Sequence, residues 1–195
     1  ASLISDHVSG SSFNGQYFHD LLPLPYTDES LAHMVSRIQQ VQDFLGRQIL
    51  IENISSYITY QHSTIPEWEF IRSMAEQSGC GILLDVNNVY VNATNHDFNP
   101  LTYLNAIPEK LVHEIHLAGF ATTIIDKQEI LIDSHNQRIV PAVWDLLRTA
   151  IHQYGIKPVM IEWDNDLPSL DKLCLEAWRA ESIIKENYVA AKRTG

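Results

Sequence analysis

Short apolar runs alternate with longer stretches of helical periodicity along the chain. The first run is Leu3–Val8, followed by a long loop, "SGSSFNGQYFHDLLPLPYT". Across Asp28–Leu45, the residues Leu31, Met34, Val35, Ile38, Val41 and Leu45 recur at helical spacing. Thr27 supplies an N-cap for that helix and Gly46 a stop. Run two, Ile49–Ile51, leads into Glu52 and is followed by a helix near Pro66–Ser78 that ends at Gly79. Run three is Gly81–Val86, and the pattern then predicts a polar loop and a short helix around Pro100–Asn105. Run four, Val112–Leu117, precedes a longer excursion whose "EILIDSH" predicts a short hairpin, and then a helix over Pro141–Tyr154. Run five is Pro158–Ile161, with a terminal helix from about Ser169 to Asn187.

Short continuous apolar runs separated by helices predict parallel strands buried on both faces, hence an α/β fold. The choice is then between a doubly wound sheet and a (β/α)8 barrel. His7, Glu52, Asp85, His116 and Glu162 all stand at the C-terminal ends of runs. A barrel gathers its chemistry at that end of every strand. A doubly wound sheet would concentrate it at one switch point behind a glycine-rich turn, and no G-x-G-x-x-G or P-loop is present. The pattern is therefore that of a TIM-type barrel, with residues 1–195 forming a single domain. Five βα units are visible where a barrel has eight in about 250 residues. The expectation is that about three N-terminal units are missing.

Composition narrows the function classes. With 195 residues and 45% hydrophobic content, the chain can bury one sizeable core. No apolar run reaches the roughly 18–20 residues of a membrane span, and "ASLISDHVSG" carries no basic signal region. Two cysteines, Cys80 and Cys174, do not make a disulfide framework, so a reducing, cytoplasmic setting is expected. The net charge of -11, without a basic run, argues against a nucleic-acid partner. There is no G-x-S-x-G, and Cys80 lies at the wrong end of its strand for chemistry, which sets nucleophilic catalysis aside.

The strand-end residues change the picture most. Converging carboxylates disfavour one another's charge, and burial adds to that cost. A multivalent cation removes the difficulty. Histidine mixed with Asp and Glu suits a first-row transition metal, whereas oxygen donors alone suit magnesium or calcium. Carboxylates also bridge ions, so a site this acidic can hold more than one. Glu52, Asp85, His116 and Glu162 are the candidate catalytic set, with a satisfied core histidine as the rival role for His116 and His7. Asn87 and Asn88 are turn formers or ligands. Asp133 and His135, two residues apart, face the same side of an extended segment. Asp164 and Asp166 either hold a histidine or cap the last helix, capping being the simpler reading. His96 lies in the loop after run three, where no other feature of the sequence supports a role beside the site, and His19, His33, His62 and His152 read as surface. Phe13, Tyr17, Phe18, Tyr26, Tyr57, Tyr60 and Tyr90 are placed to form an aromatic rim.

Read in order, "SDHVS", "DLLPLPYTDESL", "LIENISSY", "GCGILLDVNNVYVNATNH", "EIHLAG", "LIDSH" and "IEWDND" resemble domain-of-unknown-function family 692, or UPF0276. These are multinuclear non-haem iron oxidative enzymes related to the methanobactin-maturation oxidases. The resemblance spans nearly the whole chain. It implies a TIM-type barrel with two or three irons in the Fe2+/Fe3+ states. The implied activity is oxidative modification, with O2, of cysteines in a ribosomally made precursor peptide, often beside a partner protein that binds the leader. Matching positions imply the ligands His7, Glu52 (bridging), Asp85, Asn88, His116, Asp133, His135 and Glu162, with Asn88 chosen over Asn87. Two departures stand out. Family members begin with further strands, one bearing another histidine, and Gly10 occupies a position expected to be aromatic. Loss of those strands would remove part of the donor set, and with it the activity of these 195 residues alone. The alternatives are a zinc- or manganese-dependent barrel isomerase or endonuclease-like enzyme, and a non-catalytic remnant.

Overall fold

The computed structural model describes residues 2–194; the side chains of Phe13, His19 and Asp20, and those of 188–194, lie outside the described set. The expectations for Phe13 and His19 therefore fall outside it. Five strands form one parallel sheet: β1 (Ser5–His7), β4 (Leu50–Glu52), β5 (Gly81–Asp85), β6 (Val112–Leu117) and β9 (Val159–Ile161), side by side in that order. Two antiparallel hairpins leave it, β2 (Gly10–Phe13) with β3 (Gln16–Leu22) and β7 (Ala121–Ile125) with β8 (Gln128–Ile132). The helices are α1 (Asp28–Leu45), α2 (Glu67–Ser78), α3 (Val86–Asn95), α4 (Pro100–Ala106), α5 (Pro141–Tyr154) and α6 (Leu170–Thr194).

The ends of α1 follow from its flanking residues. The Thr27 hydroxyl accepts from Ser30 N, and Gly46 takes up the left-handed conformation at φ 63°. Alternation along each strand divides the sheet into two faces. Ile49, Ile51, Ile82, Leu84, Ile115 and Leu117 join Ile38, Phe70, Met74, Leu104, Val143, Trp144 and Leu147 of the helices in one core. On alternate positions stand Leu50 and Glu52, Leu83 and Asp85, Glu114 and His116. The registers Glu52 with His7 and Asp85 with His116 bring the ionisable ends of neighbouring strands level.

The architecture is α/β with a parallel sheet. Two expectations are corrected. The polar loop predicted after run three is α3, which starts immediately at Val86. Its asparagines read as turn formers, but Val86, Val89 and Val91 are fully buried and the asparagines bond outward to other loops, so tertiary contacts override local preference. The stretch after run one contains the β2–β3 hairpin, turned at Asn14 (φ 49°) and Gly15 (φ 75°), an Asn-Gly signal in the sequence. Run one also differs in burial: Ser5, Asp6 and His7 are exposed, and β1 and β9 each pair on one side among the described residues.

Candidate metal centre

Ligand-type atoms of Glu52, Asp85, His116 and Glu162 all lie within 4.8 Å of one another. Two donors each about 2.1 Å from one ion are at most about 4.2 Å apart, so a small contraction closes this set on a cation. Each residue arrives from a strand end: Glu52 closes β4, Asp85 closes β5, His116 lies near the end of β6, and Glu162 follows β9, anchored by Glu162 N donating to Leu117 O at 2.8 Å.

The carboxylates link the histidines. Glu52 Oε2 stands 3.3 Å from His7 Nε2 and Glu52 Oε1 3.4 Å from His116 Nδ1. Glu162 Oε1 is 3.1 Å from His116 Nδ1, and its Oε2 is 3.5 Å from His135 Nδ1. Asp133 Oδ1 is 2.7 Å from His135 Nε2. His7, Glu52, Asn88, Asp133, His135 and Glu162 line a cleft of about 350 Å³ together with Leu21, Tyr57 and Asp164. Asp85 and His116 are buried, at 0% and 4% exposure.

Closeness here is not pairing. Asp85 Oδ2, Asn88 Oδ1, both ring nitrogens of His116 and Nε2 of His135 are enclosed, yet none has a partner in hydrogen-bonding geometry among the described residues. Buried polar atoms are nearly always bonded, so a cluster of unbonded ones aimed at shared space fits a cation. The mixed nitrogen and oxygen set fits a first-row transition ion better than magnesium or calcium.

Electrostatics agree. Burial pushes Asp85 well above the usual carboxylate range, and the charges of Asp133 and Glu52 add to it. Burial alone would lower His116 and His135. The facing carboxylates, Glu162 and Glu52 for His116 and Asp133 foremost for His135, more than offset it and push both up to about 10. Burial works to raise Glu162 as well, but the histidines hold it below its ordinary value. Without a metal, histidine protons neutralise the acids; a divalent cation would replace those protons.

The surrounding residues orient the donors. His135 Nδ1 bonds Asp164 Oδ2 at 3.1 Å, which leaves Nε2 facing the cleft. Asp164 therefore holds a histidine, and Asp166 accepts from Asn136 Nδ2 at 3.0 Å, where helix capping was the simpler expectation. Asn87 donates to Asp133 Oδ1 at 2.8 Å, while Asn88 donates to Asn53 O and keeps its own oxygen free toward the site. Asn53, absent from the sequence reading, bonds Asp85 N and O at 2.9 and 3.0 Å. Its position directly after Glu52 was the available signal. His96 bonds Ser56 Oγ at 2.7 Å, outside the donor set. Of the expected aromatic rim, Tyr57 lines the cleft, Tyr26 and Tyr60 line a separate apolar cavity of about 160 Å³ with Trp68 and Phe98, and Tyr90 stacks on Phe120.

A family model described as "RiPP precursor modification enzyme MbnB/TglH/ChrH" matches residues 1–185. The chain belongs to that family. Among relatives of this MbnB/TglH/ChrH member, a UPF0276 protein of Vibrio vulnificus is 51% identical over 187 residues, covering 96% of this chain and 64% of the relative. One from Acaryochloris marina is 47% identical over 181 residues, 93% of this chain and 64% of the relative. One from Rhizobium meliloti is 43% identical over 193 residues, 98% of this chain and 62% of the relative. The chain thus spans somewhat less than two thirds of the length of these relatives. A xylose isomerase domain containing protein of Salmonella typhimurium superposes with TM-score 0.49 and 14% identity, covering 84% of this chain and 61% of that one. That likeness carries no weight for function. No helix among the described residues is long and apolar enough to cross a membrane.

Proposed function

We propose that this protein is a multinuclear non-haem iron-dependent oxidase that modifies cysteine residues of a ribosomally made precursor peptide, with O2 as oxidant. One observation carries the reading: a buried set of unbonded nitrogen and oxygen donors, at the strand ends of a chain belonging to a peptide-modifying family. His7, Glu52, Asp85, Asn88, His116, Asp133, His135 and Glu162 are the proposed ligands of two or three ions, with Glu52, Asp85, His116 and Glu162 as the catalytic set. When bound, iron supplies a site for the substrate thiolate and the redox capacity to use O2.

The chain's own residues do the rest. Glu52 and Glu162 each reach two histidines through separate oxygens, which suits them to span neighbouring ions. Asp164, hydrogen-bonded to His135, keeps that ring presenting Nε2. Leu21, Ile54 and Tyr57 give the cleft apolar contact for the residues flanking the cysteine. A second protein that holds the peptide's leader, and a reducing, cytoplasmic setting, belong to the same proposal. So does the barrel: the one-sided edges of β1 and β9, and the greater length of the relatives, support a sheet completed to eight strands by chain outside these 195 residues.

The test is elemental analysis of anaerobically purified protein beside His116→Ala, followed by O2 uptake with cysteine-containing peptides, run also on a version with the relatives' full length. Two or more irons per chain, reduced in the variant, with thiol-dependent O2 consumption, is the expected result. Zinc or manganese alone supporting turnover, with no O2 requirement, would overturn it in favour of a barrel isomerase or endonuclease-like enzyme.

A further inference from the structure

Asp133 and His135 sit on the segment leaving β8, which no strand of the main sheet fixes. His135 is held by backbone bonds, its N–H donating to Gly119 O and its C=O accepting from Asp164 N, whereas Asp133 is held by side chains of other elements. Asp133 N donates to Tyr57 Oη at 3.0 Å, Ser55 Oγ donates to Asp133 Oδ2 at 3.3 Å, and Ser55 Oγ lies 3.1 Å from Tyr57 Oη. Proton counting orders the triangle. The one Ser55 hydroxyl proton goes to the carboxylate, so the Ser55–Tyr57 bond is donated by the phenol. The three bonds close a ring: Asp133 N–H to Tyr57, Tyr57 O–H to Ser55, Ser55 O–H to Asp133 Oδ2. Asn87 holds the other oxygen, Oδ1, at 2.8 Å. Both oxygens of one proposed ligand are thus oriented by residues of two other elements, the segment after β4 and helix α3.

We infer that Tyr57 and Ser55 are positioning residues that set the affinity for an ion that Asp133 and His135 would hold. The inference rests on the metal-centre reading above. Glu52, Asp85 and His116 stand on sheet strands, so an ion held by those donors would not depend on the ring. Groups that bond a ligating carboxylate typically carry 10- to 100-fold in metal affinity, which sets the expected size of the effect.

The experiment titrates the metal-free chain with ferrous ion under anaerobic conditions against a competing chelator, for wild type, Tyr57→Phe, Ser55→Ala and Ser55→Thr. Tyr57→Phe and Ser55→Ala should keep the tight phase of the isotherm unchanged and weaken the second phase by about 10- to 100-fold. Ser55→Thr retains the hydroxyl and should restore it. Equal weakening of both phases means general loosening of the fold, and unchanged isotherms mean the ring is idle; either overturns the inference while leaving the metal centre standing. A wild-type chain that takes up no metal overturns both.

Discussion

Asp85 does two things with its two oxygens. Oδ1 accepts from Asn88 N at 2.7 Å and caps α3, while Oδ2 is buried without a partner. Asparagine caps a helix as well as aspartate does, so Asp85→Asn keeps the cap and removes a costly buried acid. The metal-free variant should therefore melt higher, by about 2–4 °C for each kcal/mol relieved, while its metal affinity drops by at least about tenfold. Thermal melts with and without chelator check both halves; a lower melting point for the metal-free variant would falsify the account of Oδ2. Glu67, away from the donor set, makes a pH prediction. Burial raises its carboxyl from 4.5 to about 7, although Tyr103 and Asn92 hydrogen-bond to it and work the other way. Between those values the folded chain holds a proton that the unfolded chain has released, so stability falls as pH rises through the window and levels off above it. The drop should amount to about 3 kcal/mol. Urea melts at pH 4.5, 6 and 7.5, compared with Glu67→Gln, isolate it; an identical slope in the variant would rule Glu67 out as the cause.

At the scale of elements, the segment 53–57 after β4 organises the site. Asn53 pairs with both backbone groups of Asp85, Asn92 bonds Ser56 N and Ile54 O, and Ser55 with Tyr57 reaches Asp133. Asn53→Ala would strand the buried N–H and C=O of Asp85, at about 1–3 kcal/mol each. A loss of about 2–5 kcal/mol in denaturant unfolding is expected, with weaker metal uptake because Asp85 moves. A loss below about 1 kcal/mol would mean that water replaces the carboxamide. These bonds also explain what could be read from the sequence. Strands and helices were legible because apolar periodicity reports burial directly, and the strand-end acids and histidines were legible because an ionisable residue ending an apolar run is costly without a purpose. Helix α3 was not, because "VNNVYVNATN" has the local chemistry of turns and becomes helical through contacts with residues 35 to 46 positions away. The roles of Asn53 and Ser55 are illegible for the same reason: their partners are set by the approach of separate loops, which leaves no periodic trace. The Asn14-Gly15 turn, by contrast, is locally encoded, since both residues adopt the positive φ that an Asn-Gly hairpin turn requires.

At the scale of the molecule, β1 and β9 each leave one edge unpaired among the described residues, and the helices carry exposed apolar side chains. Phe44 on α1 is 89% exposed and Trp178 on α6 61%, with Leu167 and Leu170 beside the start of α6 also exposed. Such edges present unpaired backbone groups, and exposed apolar side chains favour association. The 195-residue chain by itself should therefore self-associate reversibly across the micromolar range, seen as a concentration-dependent sedimentation coefficient. Phe44→Glu combined with Trp178→Glu should shift it toward monomer without lowering the melting point, since neither side chain is buried in the core. The site shares this geometry, because His7 lies on edge strand β1 with its ring 44% exposed and 3.3 Å from Glu52. Pairing of a further strand with β1 would enclose His7 and strengthen its contribution. Metal retention by a version with the relatives' full length should thus exceed that of the 195-residue chain, and His7→Ala should cost more affinity in the longer version. Equal retention in both, with equal sensitivity to His7→Ala, would mean that the five strands hold the centre unaided.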